Sequence, residues 1–171
     1  MPISSESLKQ YLSSSFIETG TFLGDGTQAA LDAGFPKIYT VEIYPDLYRA
    51  ACDRFRGNER VELFEGSSID RLQEILPMLN DQSTFYLDAH TCGGATGGAW
   101  NTPLVGELRL IATHPLKNHI ILIDDVHLFG LDLPGMPEVM MRLAHINPAY
   151  TFALIPSGDP TLGPDILAAL P

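Results

Sequence analysis

Phe16-Ile17-Glu18-Thr19-Gly20-Thr21-Phe22-Leu23-Gly24-Asp25-Gly26-Thr27 is the stretch on which the reading of this chain turns. A short apolar run reaches an acid, Glu18. A loop with glycines at positions 20, 24 and 26 follows, and then a helix-like segment over 28–33 that stops at Gly34. Strand, glycine turn and helix in that order open a nucleotide-binding α/β unit. Glycines let backbone N–H groups come close to a ligand, because no Cβ stands in the way. The acid at the strand end is a fixed acceptor for a ligand hydroxyl or ammonium. The dinucleotide fingerprint would need a glycine where Phe22 stands, and no Gly-Lys-Ser/Thr follows to make a P-loop.

The rest of the chain extends this unit. Strands are expected at 15–19, 37–43, 60–64, 83–87, 119–123, 150–155 and 165–170, and helices fill most of the gaps. The run Ile120-Ile121-Leu122-Ile123 is continuously apolar, as a central strand buried on both faces should be. No helix separates the last two strands, so they must be antiparallel. The expected fold is α/β, a Rossmann-like doubly wound sheet of seven mostly parallel strands with a C-terminal antiparallel hairpin, in one domain over 1–171. Residues 1–14 are expected to form one short helix with Leu8, Tyr11 and Leu12 on a face.

Composition narrows the partners. Lys plus Arg is 10 against 21 for Asp plus Glu, a formal charge of −11. That field repels a phosphate backbone, so nucleic acid is not an expected partner. The 2 cysteines, Cys52 and Cys92, suggest no disulfide framework. No basic-then-apolar leader opens the sequence and no apolar run reaches membrane-spanning length. The expectation is a cytoplasmic protein acting away from membranes.

Ligands of an open parallel sheet sit at the carboxyl ends of its strands. The second strand ends in Glu42, at close to the ~20-residue spacing at which such an acid meets ribose hydroxyls. Gly66-Ser67-Ser68 follows the third strand, with Ser67 placed to cap the next helix. The fourth ends in Asp88-Ala89-His90 and the fifth in Asp124-Asp125-Val126-His127. Extended residues two apart share a face. Asp88 is therefore expected to pair with His90, and Asp125 with His127. Carboxylates crowded in this way repel unless a proton or cation neutralises them. A divalent metal is one solution, and Asp88 holding a ligand ammonium is another. The glycine-rich loop 91–101, with Trp100, is too long to be a plain connection. His114, His119 and His145 read as structural or solvated.

These features together resemble the class I S-adenosylmethionine-dependent methyltransferases, over nearly the whole chain. Glu18-x-Gly20 is similar to their first motif, Glu42 to the ribose acid, and Gly66-Ser67-Ser68 to the adenine loop. Tyr86-Leu87-Asp88-Ala89-His90 and Ile120 to Asp125 resemble most the metal-dependent sugar O-methyltransferases of the macrocin and novobiocin type. The resemblance implies a cofactor cradle of Glu18, Gly20, Thr21 and Gly24 with Glu42 and Ile43. Gly66, Ser67, Ser68 and Asp88 complete it. It implies Mg²⁺ or Mn²⁺ on Asp88, Asp124 and Asp125, and His90 or His127 as base beside Asp125. The acceptor would be a small-molecule hydroxyl, on a sugar or a glycosylated compound. Two departures stand out: Phe22 replaces a glycine, and the family's acceptor-binding N-terminal extension is missing, so a neighbouring subunit in a homo-oligomer is one source of acceptor contacts. A metal-dependent hydrolase and a non-catalytic cofactor-binding module are the alternative readings.

Overall fold

The computed structural model describes residues 3–89, 102–158, 161 and 163–171. Seven strands form one sheet: β1 Ser15–Thr19, β2 Ile38–Glu42, β3 Val61–Glu65, β4 Ser83–Leu87, β5 Ile120–Ile123, β6 Thr151–Pro156 and β7 Pro164–Leu170. Their spatial order is β3-β2-β1-β4-β5-β7-β6. The first five are parallel, and β7 runs antiparallel to both its neighbours. Order reverses between β1 and β4, which makes their carboxyl tips the switch point of the sheet.

Among the described residues α1 Ser5–Leu8 precedes the sheet, and five helices connect its strands: α2 Asp25–Ala33, α3 Pro45–Arg54, α4 Ser68–Ile75, α5 Leu104–Thr113 and α6 Met136–Ile146. They cover both faces because β1, β2, β4 and β5 are buried along their whole length. On one face Leu72, Leu108 and Leu143 of α4, α5 and α6 pack against Ile17, Phe85 and Ile121. On the other, Leu8, Leu31 and Ala51 of α1, α2 and α3 pack with Phe16, Ile38 and Tyr86. None of the described helices is long and apolar enough to cross a membrane.

The N-terminal segment departs from the expected single helix. α1 ends at Leu8 and a 3₁₀ turn, Lys9–Tyr11, continues it. At three residues per turn Leu8 and Tyr11 align, and both are buried. Leu12 falls off that line and is 45% exposed. α2 begins earlier than expected, at Asp25, so Gly26 and Thr27 belong to its first turn.

The two histidines at the amino end of the sheet are structural, as expected. His119 is fully buried, and its Nδ1 accepts the Ser83 N–H at 3.1 Å. That leaves its proton on Nε2, which donates to His114 Nδ1 at 2.8 Å. Burial first, then the neighbouring His114, pushes the His119 pKa down to about 4.

The β1–β4 junction leaves no room beside Gly20. Its φ is +90°, and a Cβ there would meet the Asp88 carbonyl oxygen at 2.7 Å. Gly20→Ala should therefore cost about 3 kcal/mol, from left-handed strain plus backbone collision. Urea denaturation of the variant checks this; a loss below about 1 kcal/mol would show that the junction yields.

Candidate functional site

The glycine loop is fastened to the end of β2. The Val41 carbonyl accepts the N–H groups of both Gly20 and Thr21, at 2.9 and 3.1 Å. Glu42 is only 4% exposed, and its oxygens accept the N–H of Phe22 and of Tyr44, each at 2.8 Å. The Glu42 carbonyl accepts the N–H of Gly66 at 2.8 Å, which brings the third loop to the same place. Phe22 has a φ of +49°. The position at which the resemblance expects glycine is thus left-handed here too, and the charge-assisted bond to Glu42 offsets the strain on a bulky residue. Arg54 of α3 holds the far side of the loop through the Leu23 carbonyl and Asp25, at 2.5 and 2.7 Å.

Glu18 faces inward. It is 1% exposed, and its Oε2 accepts the hydroxyls of Thr27 and Thr40 at 2.5 and 2.6 Å. Thr40 Oγ1 lies 2.6 Å from Thr21 Oγ1. Since the Thr40 proton goes to Glu18, Thr21 must be the donor of that pair. The chain of protons runs from loop to strand to acid, so Glu18 supports the loop from beneath. Burial outweighs these hydroxyls and raises the Glu18 pKa to about 7.

On the rim beside Glu42, Ile43 is 50% exposed and offers a flat apolar contact. Ser67 caps α4 by accepting the Ile69 N–H at 3.2 Å. Ser68 is buried, and its hydroxyl has no hydrogen-bond partner among the described residues. Gly24 is left-handed and opens α2. The predicted cradle residues thus converge on one rim, with Glu18 and Thr21 as its lower layer.

Asp88 and Asp124 follow directly on the paired tips of β4 and β5. Both act on the Tyr86 hydroxyl, which they and, above all, burial keep protonated. That hydroxyl donates to Asp124 Oδ2 and accepts the Ile3 N–H at 3.3 Å. Asp124 Oδ1 accepts the Asp125 N–H at 3.0 Å. Between these tips and α5 lies a small cavity walled by Leu87, Leu104, Ile123 and Leu133, with Glu107 and Asp124 as its acids. His90 and Trp100 lie outside the described residues.

The extended Asp125–His127 pair is corrected. Asp125 is left-handed, with φ +56°, and Val126–Leu128 is a 3₁₀ turn. The turn still brings the two side chains together, at 3.8 Å, and adds a residue that sequence reasoning missed. Asp165 accepts the His127 backbone N–H on Oδ1 and faces its ring Nδ1 with Oδ2, both at 2.8 Å. Because β7 is antiparallel, its amino end reaches the rim where the parallel strands end. Ile123 pairs with Leu167, and just beyond that pair the turn after β5 brings Asp125 and His127 beside Asp165 near the start of β7. The expected hairpin already held that signal.

Asp125, His127 and Asp165 offer ligand atoms that all lie within 4.8 Å of one another. Two carboxylate oxygens with one imidazole suit a divalent ion such as Mn²⁺ or Zn²⁺. Among the described residues this is the group with metal-ligand geometry, and it shares only Asp125 with the expected set of Asp88, Asp124 and Asp125.

No family model matches the chain, and no curated protein matches it in sequence. Solved structures do match. An O-methyltransferase of Bacillus cereus in complex with S-adenosylhomocysteine superposes with a TM-score of 0.65 at 16% identity, over 98% of this chain and 78% of that one. A methyltransferase of Podospora anserina, also bound to S-adenosylhomocysteine, gives 0.64 at 18% identity, over 97% and 75%. An O-methyltransferase of Streptomyces achromogenes in complex with S-adenosylmethionine gives 0.61 at 17%, over 97% and 76%. The chain shares its fold with these three methyltransferases. At these identities the likeness concerns the fold.

The Glu18 pKa sets a pH dependence. Folded Glu18 titrates near 7 and its unperturbed value is 4.5, so between those values the folded chain holds the extra proton. This group's contribution therefore falls as pH rises through that window, by about 3 kcal/mol in all. Glu18→Gln cannot titrate. Its stability relative to wild type should rise by that order between pH 4.5 and 8, measured by denaturant unfolding. A constant difference across the range would contradict a protonated Glu18.

Proposed function

We propose that this protein is an S-adenosylmethionine-dependent O-methyltransferase acting on a hydroxyl of a small molecule, a sugar or a glycosylated compound. The observation that carries the reading is that a Glu42-clamped glycine loop and an Asp–His–Asp group flank the β1–β4 switch point on the same rim of the sheet. The solved structures with this fold include proteins bound to S-adenosylmethionine or S-adenosylhomocysteine, which supports the same reading.

The donor set fits the cofactor. Glu42 has lone pairs beyond the two N–H bonds it accepts, and these would take the ribose hydroxyls. Ile43 and the Gly66–Ser68 turn, with its unpartnered Ser68 hydroxyl, would hold the adenine. Gly20 and Asp88 would hold the amino-acid end. The cofactor supplies an activated methyl group on sulfur.

The chain's own work is placement and proton handling. A rigid rim that aligns acceptor oxygen, methyl and sulfur removes several kcal/mol of barrier by proximity. As the new oxygen–carbon bond forms and the carbon–sulfur bond breaks, the hydroxyl proton must leave. The Asp125–His127–Asp165 group is the place for it to go. Acidic surface charge favours a small acceptor over nucleic acid.

Calorimetry with S-adenosylhomocysteine tests the reading. Wild type should bind it at micromolar concentration. Glu42→Gln keeps one of the two acceptor oxygens, turns an NH2 towards the other N–H and loses the charge, and should weaken binding at least about tenfold. Absence of binding at millimolar ligand, together with hydrolysis of ester or phosphate substrates in Mn²⁺, would favour the hydrolase instead.

A further inference from the structure

We propose that the β5–β7 junction is a divalent-cation site built by Asp125, His127 and Asp165, and that Asp88 and Asp124 are not its ligands. Ions of this class bind oxygen and nitrogen at ~2.1 Å. Ligand atoms sharing one ion then stand ~3 Å apart at a right angle and ~4.2 Å apart when opposite. Two of the separations fit: His127 Nδ1 is 2.8 Å from Asp165 Oδ2 and 3.8 Å from Asp125 Oδ1.

The geometry is prepared by the backbone. The His127 N–H holds Asp165 Oδ1, which orients the carboxylate so that Oδ2 points at the ring. Fixing a ligand's second oxygen in this way is the usual role of outer-shell hydrogen bonds. Asp165 is 2% exposed, whereas the His127 side chain is 44% exposed, so the group is anchored inside and open outside. When an ion enters, it takes the place of the ring Nδ1 proton, which leaves to solvent.

The expected alternative is built differently. Asp124 is 5% exposed, and its two oxygens accept the Tyr86 hydroxyl and the Asp125 N–H. Tyr86 sits beneath, in the apolar layer between α1 and the sheet. That arrangement orders the tip of β5 and aims Asp125 across at β7. An imidazole in the set favours Mn²⁺ or Zn²⁺ over Mg²⁺.

The assignment stands whether or not the chain transfers methyl groups, and the test separates the two. Full-length protein is stripped with a chelator and titrated with Mn²⁺ by calorimetry and electron paramagnetic resonance. One ion per chain is expected, with nitrogen coupling from an imidazole in the pulsed spectrum. Asp165→Asn and His127→Ala should each weaken binding at least roughly tenfold, and His127→Ala should abolish the nitrogen signal. Asp88→Asn should leave binding unchanged. If Asp165→Asn does not fold, the exposed His127→Ala carries the test. The proposal is overturned if wild type binds neither Mn²⁺ nor Zn²⁺. It is equally overturned if Asp88→Asn abolishes binding while His127→Ala does not. S-adenosylhomocysteine affinity measured on the same samples reports on the methyltransferase reading alone.

Discussion

The end of β2 holds this site together. One carbonyl, that of Val41, and one carboxylate, that of Glu42, take four N–H groups: those of the consecutive Gly20, Thr21 and Phe22, and that of Tyr44. Without them the glycine loop would have unsatisfied donors at a buried junction, each costing about 1–3 kcal/mol. The clamp also explains how a phenylalanine stands at a left-handed position. A charged acceptor offsets the strain, and the ring is left half in solvent, where it collides with nothing. The acid that the family pattern assigns to ribose is therefore first a structural member. A ligand would meet a carboxylate already oriented by two donors.

Two buried titrating groups lie at opposite ends of the sheet and act in opposite senses. Glu18, raised to about 7, favours the folded state in acid. His119, lowered to about 4, must stay neutral, and its contribution is lost as pH falls from 6.5 towards that value. The windows overlap almost completely. One group's proton uptake on folding is the other's proton loss, so their contributions to the slope of stability with pH largely cancel. A flat wild-type profile in this range is the sum of two steep terms, and only removal of one partner exposes the other.

Much of this was legible in the residues. The all-apolar β5, the glycine turn after Glu18 and the absent helix between the last strands point to a mostly parallel seven-stranded sheet with an antiparallel hairpin, whereas the order of the strands is seen only in the structure. Glu42 and Gly66 were found because parallel strands put their ends on one rim. Asp165 was missed because it begins its strand, and only strand ends were searched; antiparallel direction exchanges the two. The Asp125–His127 spacing was read with the period of a strand, but the chain leaves the strand at Asp124. Left-handed Asp125 and the short 3₁₀ turn cannot be seen in a pattern of residue types. Leu12 failed for a related reason, a change of helical period within one turn.

The same details change the electrostatic argument for a metal. Read as a row of acids, the rim seems to require a cation to exist at all. In the folded chain four of these acids are already accommodated. Glu18 is raised towards protonation in a nest of threonine hydroxyls, Glu42 is held by two N–H groups, and Asp124 by a tyrosine hydroxyl and a backbone N–H. Asp165 has both oxygens on one histidine. Hydrogen bonds of this kind to ionised carboxylates are each worth roughly 1.5–3 kcal/mol, enough to hold an acid in place without an ion. Repulsion among these four therefore does not call for a metal. What remains is geometry, and donor atoms at separations suited to sharing an ion occur where β7 runs back past β5. A cation bound there would sit on the side of the switch point away from the Glu42 clamp, which leaves the β1 and β4 tips between the two as the place where two substrates meet.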